Sequence, residues 1–364
     1  MGEPLLSASA DLAAADLAAV PAGSPRAEAQ QSLKEGTLPP ALLAELNRRR
    51  DRPGLGQLLF HLSLLLGGAL LWGQALGQGP LAGARLPPLL VLPVGLLGLL
   101  LLGWALAFAF CAMHEAGHRT AFASRALNDT VAWWAGVLSF YNADFYRRYH
   151  QWHHRYTHLP GLDPELEDAP PTSTAAYLIE LSGITWWTGK IRGHLAGLRG
   201  DFGDRPYIPA DAAPAVRRSL RLQFGVYALL ALLSLIGANG FLFWYWLLPL
   251  AVGQPLLRFV LLAEHGGCPF VADGLRNTRT THTLAPLRRL MWNMPFHAEH
   301  HLYPSLPFHA LAAAHRCLGP SLGVVAPGYL AVHRRFMAHL PALAMPPASG
   351  SAEPALAAAG RVSG

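Results

Sequence analysis

Charge is what this sequence is shortest of. Asp, Glu, Lys and Arg make up 14% of the 364 residues, against roughly 25% in a soluble globular domain. Lysine is nearly missing: Lys34 and Lys190 are the only two, and the net charge of +6 rests on arginines scattered between apolar runs. No basic block exists that would track a polyanion, so nucleic acid is not an expected partner. Cysteine is scarce too. Cys111, Cys268 and Cys317 are too few and too widely spaced for a disulfide framework or a cysteine metal site. The first residues lack the basic leader of a secretory signal, with Glu3 and Asp11 standing there instead. No internal repeat is visible.

What is present is apolar. The chain is 52% hydrophobic, with 30 prolines and 36 glycines, a mixture that membrane helices tolerate better than soluble ones. The first long apolar run is 58–76, closed by the turn signal Gly77-Gln78-Gly79-Pro80. The second, 89–113, has 25 residues without a charge. As a helix it measures roughly 37 Å, longer than the ~30 Å hydrocarbon core, so its end should project beyond the lipid. Residues 222–262 are apolar except for Arg258 and would make roughly 60 Å of helix, too long for one crossing. Ala238-Asn239-Gly240 divides them into spans 222–238 and 241–262. Two shorter stretches, Val131–Tyr141 and Ala175–Trp187, are expected to lie at the membrane interface. The expected fold is all-α and membrane-integral: four spans, interfacial helices and a cap bearing histidine clusters. The domain is expected over 41–340, between mobile tails at 1–40 and 341–364 rich in Ala, Pro and Ser.

The basic residues orient this map. Of 28, six precede span one, one lies between spans one and two, and twelve lie between spans two and three. One is inside span four and eight follow it, so 26 fall on one side. That side is expected to be cytoplasmic, with both termini on it. The Arg, Ala, Gly and Pro bias suggests a bacterial protein of the inner membrane.

Histidine is the anomaly. Eight of seventeen fall in three clusters: His114-Glu115-Ala116-Gly117-His118, His150-Gln151-Trp152-His153-His154 and His297-Ala298-Glu299-His300-His301. Imidazoles three or four apart share a helix face and can reach one ion, while the adjacent pair in H-x-x-H-H diverges toward two. Four crossings return the third cluster to the side of the first two. Eight convergent imidazoles exceed the four ligands of a structural zinc, so two ions are expected. Imidazole alone suits zinc, copper, iron or nickel and does not choose among them. His265, directly after span four, is placed to close a coordination sphere, whereas His158 is left open. His282, His309 and His315 read as surface or supporting residues, and His61, His194, His333 and His339 as ordinary ones. Glu115, Asp144, Glu264 and Glu299 are candidate acceptors that would orient imidazoles, as are Asp163 and Glu165 unless they form a solvated turn.

The stretches RRYHQWHHRYTHLPGLDPEL (147–166) and WNMPFHAEHHLYPSLPFHAL (292–311) resemble the second and third histidine boxes of membrane fatty acid desaturases. The likeness runs from about residue 56 to 320. It implies two non-haem irons, dioxygen and a fatty acyl or similar lipid substrate. It also implies a separate electron donor of the ferredoxin or cytochrome b5 type, since no fused cytochrome segment is visible. The family's roughly nine histidine ligands carry over onto His114, His118, His150, His153, His154, His297, His300, His301 and His265. Desaturation is the expected reaction, with hydroxylation or ketolation by the same superfamily as the alternative. The first box has three intervening residues, not the four of acyl-CoA desaturases, which leaves the headgroup class open. The third begins with His297, not the Gln of front-end desaturases.

Two rivals from other classes are weaker. His114-Glu115-x-x-His118 matches the zincin pattern, in which Glu is the general base, but an intramembrane zinc protease would leave the H-x-x-H-H boxes without purpose. A haem-carrying electron-transfer bundle needs axial histidines inside the spans, and these hold only His61.

Overall fold

The computed structural model describes residues 36–78, 86–168 and 170–340. The expected tail 341–364 lies outside them, as does most of 1–40. Leu38, within the described part, is buried and its amide donates to the Tyr303 hydroxyl at 2.8 Å.

A short helix α1 (Pro40–Leu46) leads into α2 (Asp51–Ala75) and α3 (Pro88–Gly117). Then come α4 (Arg125–Ser139), α5 (Ala143–Tyr156), α6 (Thr174–Ser182) and α7 (Ile184–Arg199). Next is α8 (Ala213–Ile236), followed by a π-helical turn (Phe243–Leu247) continuous with α9 (Leu248–His265). The chain ends in α10 (Ala285–Leu290), α11 (His297–Leu302), α12 (Leu311–Leu318) and α13 (Tyr329–Ala338). Among the described residues the only strands are β1 (Thr280–Thr281) and β2 (Val325–Ala326), paired in parallel with Thr280 opposite Val325.

Among the described residues, four helices are long and apolar enough to cross a membrane: Asp51–Ala75, Pro88–Gly117, Ala213–Ile236 and Phe243–His265. They are the four expected spans, lengthened at the end that carries the histidines. The first begins seven residues earlier than its apolar run and the third nine earlier, taking in Arg52, Arg217, Arg218 and Arg221. Apolarity marks where lipid ends, whereas the i→i−4 bonds continue through polar turns. The interfacial expectation at Val131–Tyr141 is α4, and that at Ala175–Trp187 is α6 with the start of α7.

Helix α3 is the hub. From Ala105 to Ala116 every residue is buried, whereas Leu59 and Leu66 on α2 and Leu232, Leu235 and Ile236 on α8 are exposed. An apolar surface of that extent needs lipid around it. Close backbone approach sets the packing of α3 on α9: a Cβ on Gly253 would lie 2.0 Å from the Gly103 carbonyl oxygen. Small residues at such crossings take the place of the hydrophobic drive that lipid removes. Polar caps fix the connections. Ser124 Oγ accepts from Leu127 N at 3.2 Å to start α4, and Asn142 Oδ1 accepts from Phe145 N at 3.0 Å to start α5. Phe140, in the left-handed region at φ 62°, makes the tight corner between them.

Candidate metal centre

Four helix ends deliver the imidazoles to one place. Helix α3 overruns its apolar run, so His114 lies in its last turn and His118 caps it. Helix α5 carries His150, His153 and His154; α9 ends on His265; α11 carries His297, His300 and His301. All nine converge.

They form two groups. In the first, His114, His118, His150, His154 and His300 bring one nitrogen each within 4.8 Å of the others. His114 Nε2 lies 2.8 Å from His300 Nε2, and His154 Nε2 lies 3.0 Å from His150 Nε2 and 3.1 Å from His300 Nε2. In the second, His153, His265 and His301 cluster the same way. His297 joins them, with its Nε2 3.1 Å from both His265 Nε2 and His301 Nε2.

This donor set fits cations. A neutral imidazole has one N–H and one lone pair, so a run of four mutually facing Nε2 atoms cannot be satisfied by hydrogen bonds among themselves. A shared positive ion satisfies every lone pair at once. With metal–nitrogen bonds of about 2.1 Å, ligands at right angles stand about 3.0 Å apart and tetrahedral ones about 3.4 Å. The spacings of 2.8–3.1 Å match the right-angled arrangement.

The opposite ring nitrogens are held in place. Asp163 Oδ1 accepts from His153 Nδ1 at 2.8 Å, and the Asn277 carbonyl accepts from His265 Nδ1 at 3.2 Å, so both rings present an Nε2 lone pair to the site. The Tyr146 hydroxyl meets His114 Nδ1 and the Thr157 hydroxyl meets His301 Nδ1, each at 3.1 Å. Asp163 is itself pinned by the amides of His158 at 2.6 Å and Glu165 at 2.9 Å. Burial, reinforced by neighbouring imidazoles, holds His150, His154, His297, His300 and His301 well below the ordinary histidine value. Burial and then the Arg147 charge push His118 down to about 3. His153 moves the other way: burial would lower it, but the carboxylates of Glu165 and Asp163 outweigh burial and raise it. The rings of His118, His150, His154, His297, His300 and His301 are therefore kept in the unprotonated form that binds metal.

The acidic candidates sort differently from their sequence reading. Glu264 Oε2 lies 3.5 Å from His297 Nε2 and Glu165 Oε2 lies 3.7 Å from His153 Nε2. Both face the donor atoms, and Glu165 is close enough to act as a donor beside His150 and His153. Glu115 touches no imidazole. Its Oε1 accepts from Thr120 Oγ1 at 2.6 Å and Phe308 N at 2.9 Å, tying α3 to the turn after the third box. Committed to those two donors and to no imidazole, its Oε1 serves the fold, which speaks against a zincin base. Glu299 also misses the box imidazoles, because its oxygens bond His315 Nδ1 and Thr280 Oγ1. Asp144 makes no hydrogen bond to an imidazole among the described residues; it sits on the wall of a surface cleft with Arg119, Asp129 and Trp134.

His158 lies outside both groups, its Nδ1 bonded to the Pro269 carbonyl at 2.9 Å and its ring stacked on Phe270. His61, His194 and His333 are buried structural residues, bonded to the carbonyls of Ala105, Lys190 and Phe259. Tyr146, Thr157 and Asn277 were not foreseen. Tyr146 stands four residues before His150 on α5 and Thr157, which caps that helix, four after His153, a spacing that could have found them; Asn277 has no such signal.

Four helices long and apolar enough to cross a membrane, with nine imidazoles gathered at one end, define a membrane protein equipped to hold metal. The chain belongs to the fatty acid desaturase family, whose profile matches residues 90–334. It is 26% identical over 267 residues to an sn-1 oleoyl-lipid 12-desaturase of Synechocystis sp., covering 63% of this chain and 73% of that protein. The protein is accordingly an oxidoreductase of the desaturase type, bound to the membrane and acting on lipid.

Proposed function

We propose that the enzyme uses two histidine-held irons and dioxygen to introduce a carbon–carbon double bond into a lipid acyl chain. One ion is assigned to His114, His118, His150, His154 and His300, the other to His153, His265, His297 and His301. When bound, the irons supply the oxidising power: dioxygen, two electrons and two protons enter, two hydrogens leave adjacent methylenes, and two waters form. The convergence of nine imidazoles from four separate segments is the observation that carries this reading. Five donors around one ion exceed a structural zinc's four, and their right-angled spacing favours a metal of higher coordination number.

The protein's own share is orientation. Asp163, Asn277, Tyr146 and Thr157 fix the rings before any metal arrives. Apolar side chains of α3 and α9 keep water from the alkyl chain beside the site. The electrons come from a separate ferredoxin or cytochrome b5-type protein. Both termini and all three boxes are assigned to the cytoplasmic side of a bacterial inner membrane, because 26 of 28 basic residues lie there.

The test is expression in a host of defined lipids, with product analysis by mass spectrometry and metal analysis of the purified protein. New double bonds and close to two irons per chain are expected. Alcohols or ketones in their place would move the reaction to hydroxylation, and stoichiometric zinc with activity kept after iron removal would refute the oxidative reading.

A further inference from the structure

Beside the imidazoles, two cations meet and neither is in an ion pair, although the Glu165 and Glu264 carboxylates are near enough to act on them at longer range. Arg258 lies on α9, seven residues or about 10 Å of helix before His265, and Lys190 lies on α7. Both close on Tyr141: Arg258 Nη2 donates to its hydroxyl at 3.0 Å, and Lys190 Nζ stands 4.0 Å from its ring centre. Trp186 Nε1 donates to the same hydroxyl at 2.8 Å, and the guanidinium lies over the Trp186 ring. Neither cation has an ion-pair partner among the described residues. The nearby carboxylates of Glu165 and Glu264 are turned toward His153 and His297. One turn deeper on α9, Gln254 is fully buried and neither of its amide atoms has a partner, nor has Arg258 Nε.

An arginine inside a membrane span is costly and is kept where it faces a partner. Unpartnered buried polar atoms cost about 1–3 kcal/mol each, so several together mark a place that a ligand completes. Burial and the Arg258 charge, only partly offset by the Glu165 carboxylate, hold the Lys190 ammonium down to about 7, a strain that an anion at closer range relieves. The walls are aromatic, with Phe110 4.7 Å from Tyr141, and the outer face of α7 exposes Ile184, Ile191 and Leu195. An occupant is thus anionic at one end and apolar beyond it. Two ring contacts, 5.9 Å from Tyr141 to Tyr146 and 4.9 Å from Tyr146 to His150, separate this place from the first imidazole group.

We propose that Lys190, Arg258 and Tyr141 bind the oxyanion of the substrate amphiphile, a fatty acid carboxylate or an anionic lipid phosphate, and so set which carbons reach the imidazoles. The assignment rests on the desaturase reading for the second half of that statement only. In the test, metal-loaded full-length protein in detergent is titrated with bromostearate, its methyl ester and a brominated phosphatidate, and tryptophan quenching is read. At least tenfold tighter binding of an acid than of the ester is expected, and whichever acid binds better identifies the source. The Lys190→Gln/Arg258→Gln variant should lose that preference while binding the ester as before, and Arg258→Lys should keep most of it. Double-bond positions should scatter in the double variant at unchanged iron content, which a merely structural role would not produce. Equal binding of acid and ester by the native protein overturns the proposal. So does displacement by inorganic phosphate as effective as by phosphatidate, which would mark a soluble-anion site. Acid preference without any double-bond formation would leave the oxyanion site standing and remove the desaturase reading instead.

Discussion

Asp163→Asn is the substitution whose outcome discriminates best. Oδ1 of Asp163 accepts from His153 Nδ1 and Glu165 N, while Oδ2 accepts from His158 N. Asparagine has one accepting oxygen where aspartate has two. If that oxygen stays with the His158 amide, the NH2 group faces His153 Nδ1 and favours the tautomer with its proton on Nε2. The lone pair aimed at the second metal group is then lost. Substitutions of partners that orient a metal-binding histidine typically cost about 10- to 100-fold in affinity or activity, or about 1.4–2.7 kcal/mol. The loss should be confined to one ion. Iron per chain, measured after graded chelator treatment, should fall from two toward one, and turnover should fall with it. The pH dependence adds a second signature. His153 is raised above the ordinary 6.5 by Glu165 and Asp163 against the effect of burial, so a proton competes with metal there. Uptake of the second ion should weaken as pH falls through that raised value. Removing the Asp163 charge brings the value down, so the uptake midpoint should move to lower pH even as affinity at high pH declines. Asp163→Asn protein holding both irons with native affinity, an unmoved midpoint and normal turnover would refute the reasoning.

His265→Ala should remove iron from the second group and abolish turnover; full iron content with normal turnover would exclude His265 as a ligand. Glu115→Gln should keep both irons with a partial loss of activity, since its oxygen can still accept from Phe308 N, whereas Glu115→Ala should cost about 1–3 kcal/mol in thermal unfolding. Complete loss of turnover in Glu115→Gln with both metals bound would count against this reading. For topology, cysteines at Gln78 and Asn239 should label from outside intact cells and those at the exposed positions Arg125 and Asp273 should not, because the latter two lie on the side that carries 26 of the 28 basic residues. Labelling of the second pair would overturn the four-span arrangement. His333→Ala should lower the melting temperature without changing iron content, because it frees the Tyr177 hydroxyl and the Phe259 carbonyl away from the metals.

The sequence by itself outlined the architecture and picked out the nine imidazoles that the fold gathers, eight from the local boxes and His265 from its place after span four. Apolar runs longer than a bilayer's width can be little other than spanning helices, and an H-x-x-H-H pattern is local, so both are legible in one dimension. The helix ends were not, because backbone hydrogen bonding carries α2 and α8 through arginines that hydropathy counts as outside. Only the tertiary structure decided how the imidazoles divide between two groups, since that depends on the angle at which α11 meets α3 and α5. It also decided the roles of the acids. Glu115 and Glu299 sit beside box residues in sequence and Asp144 six positions before one, yet they face Thr120, His315 and a surface cleft, whereas Asp163, ten residues from His153, reaches it at 2.8 Å. A carboxylate's partner is set by the direction of its side chain in the fold, and adjacency along the chain does not specify that direction.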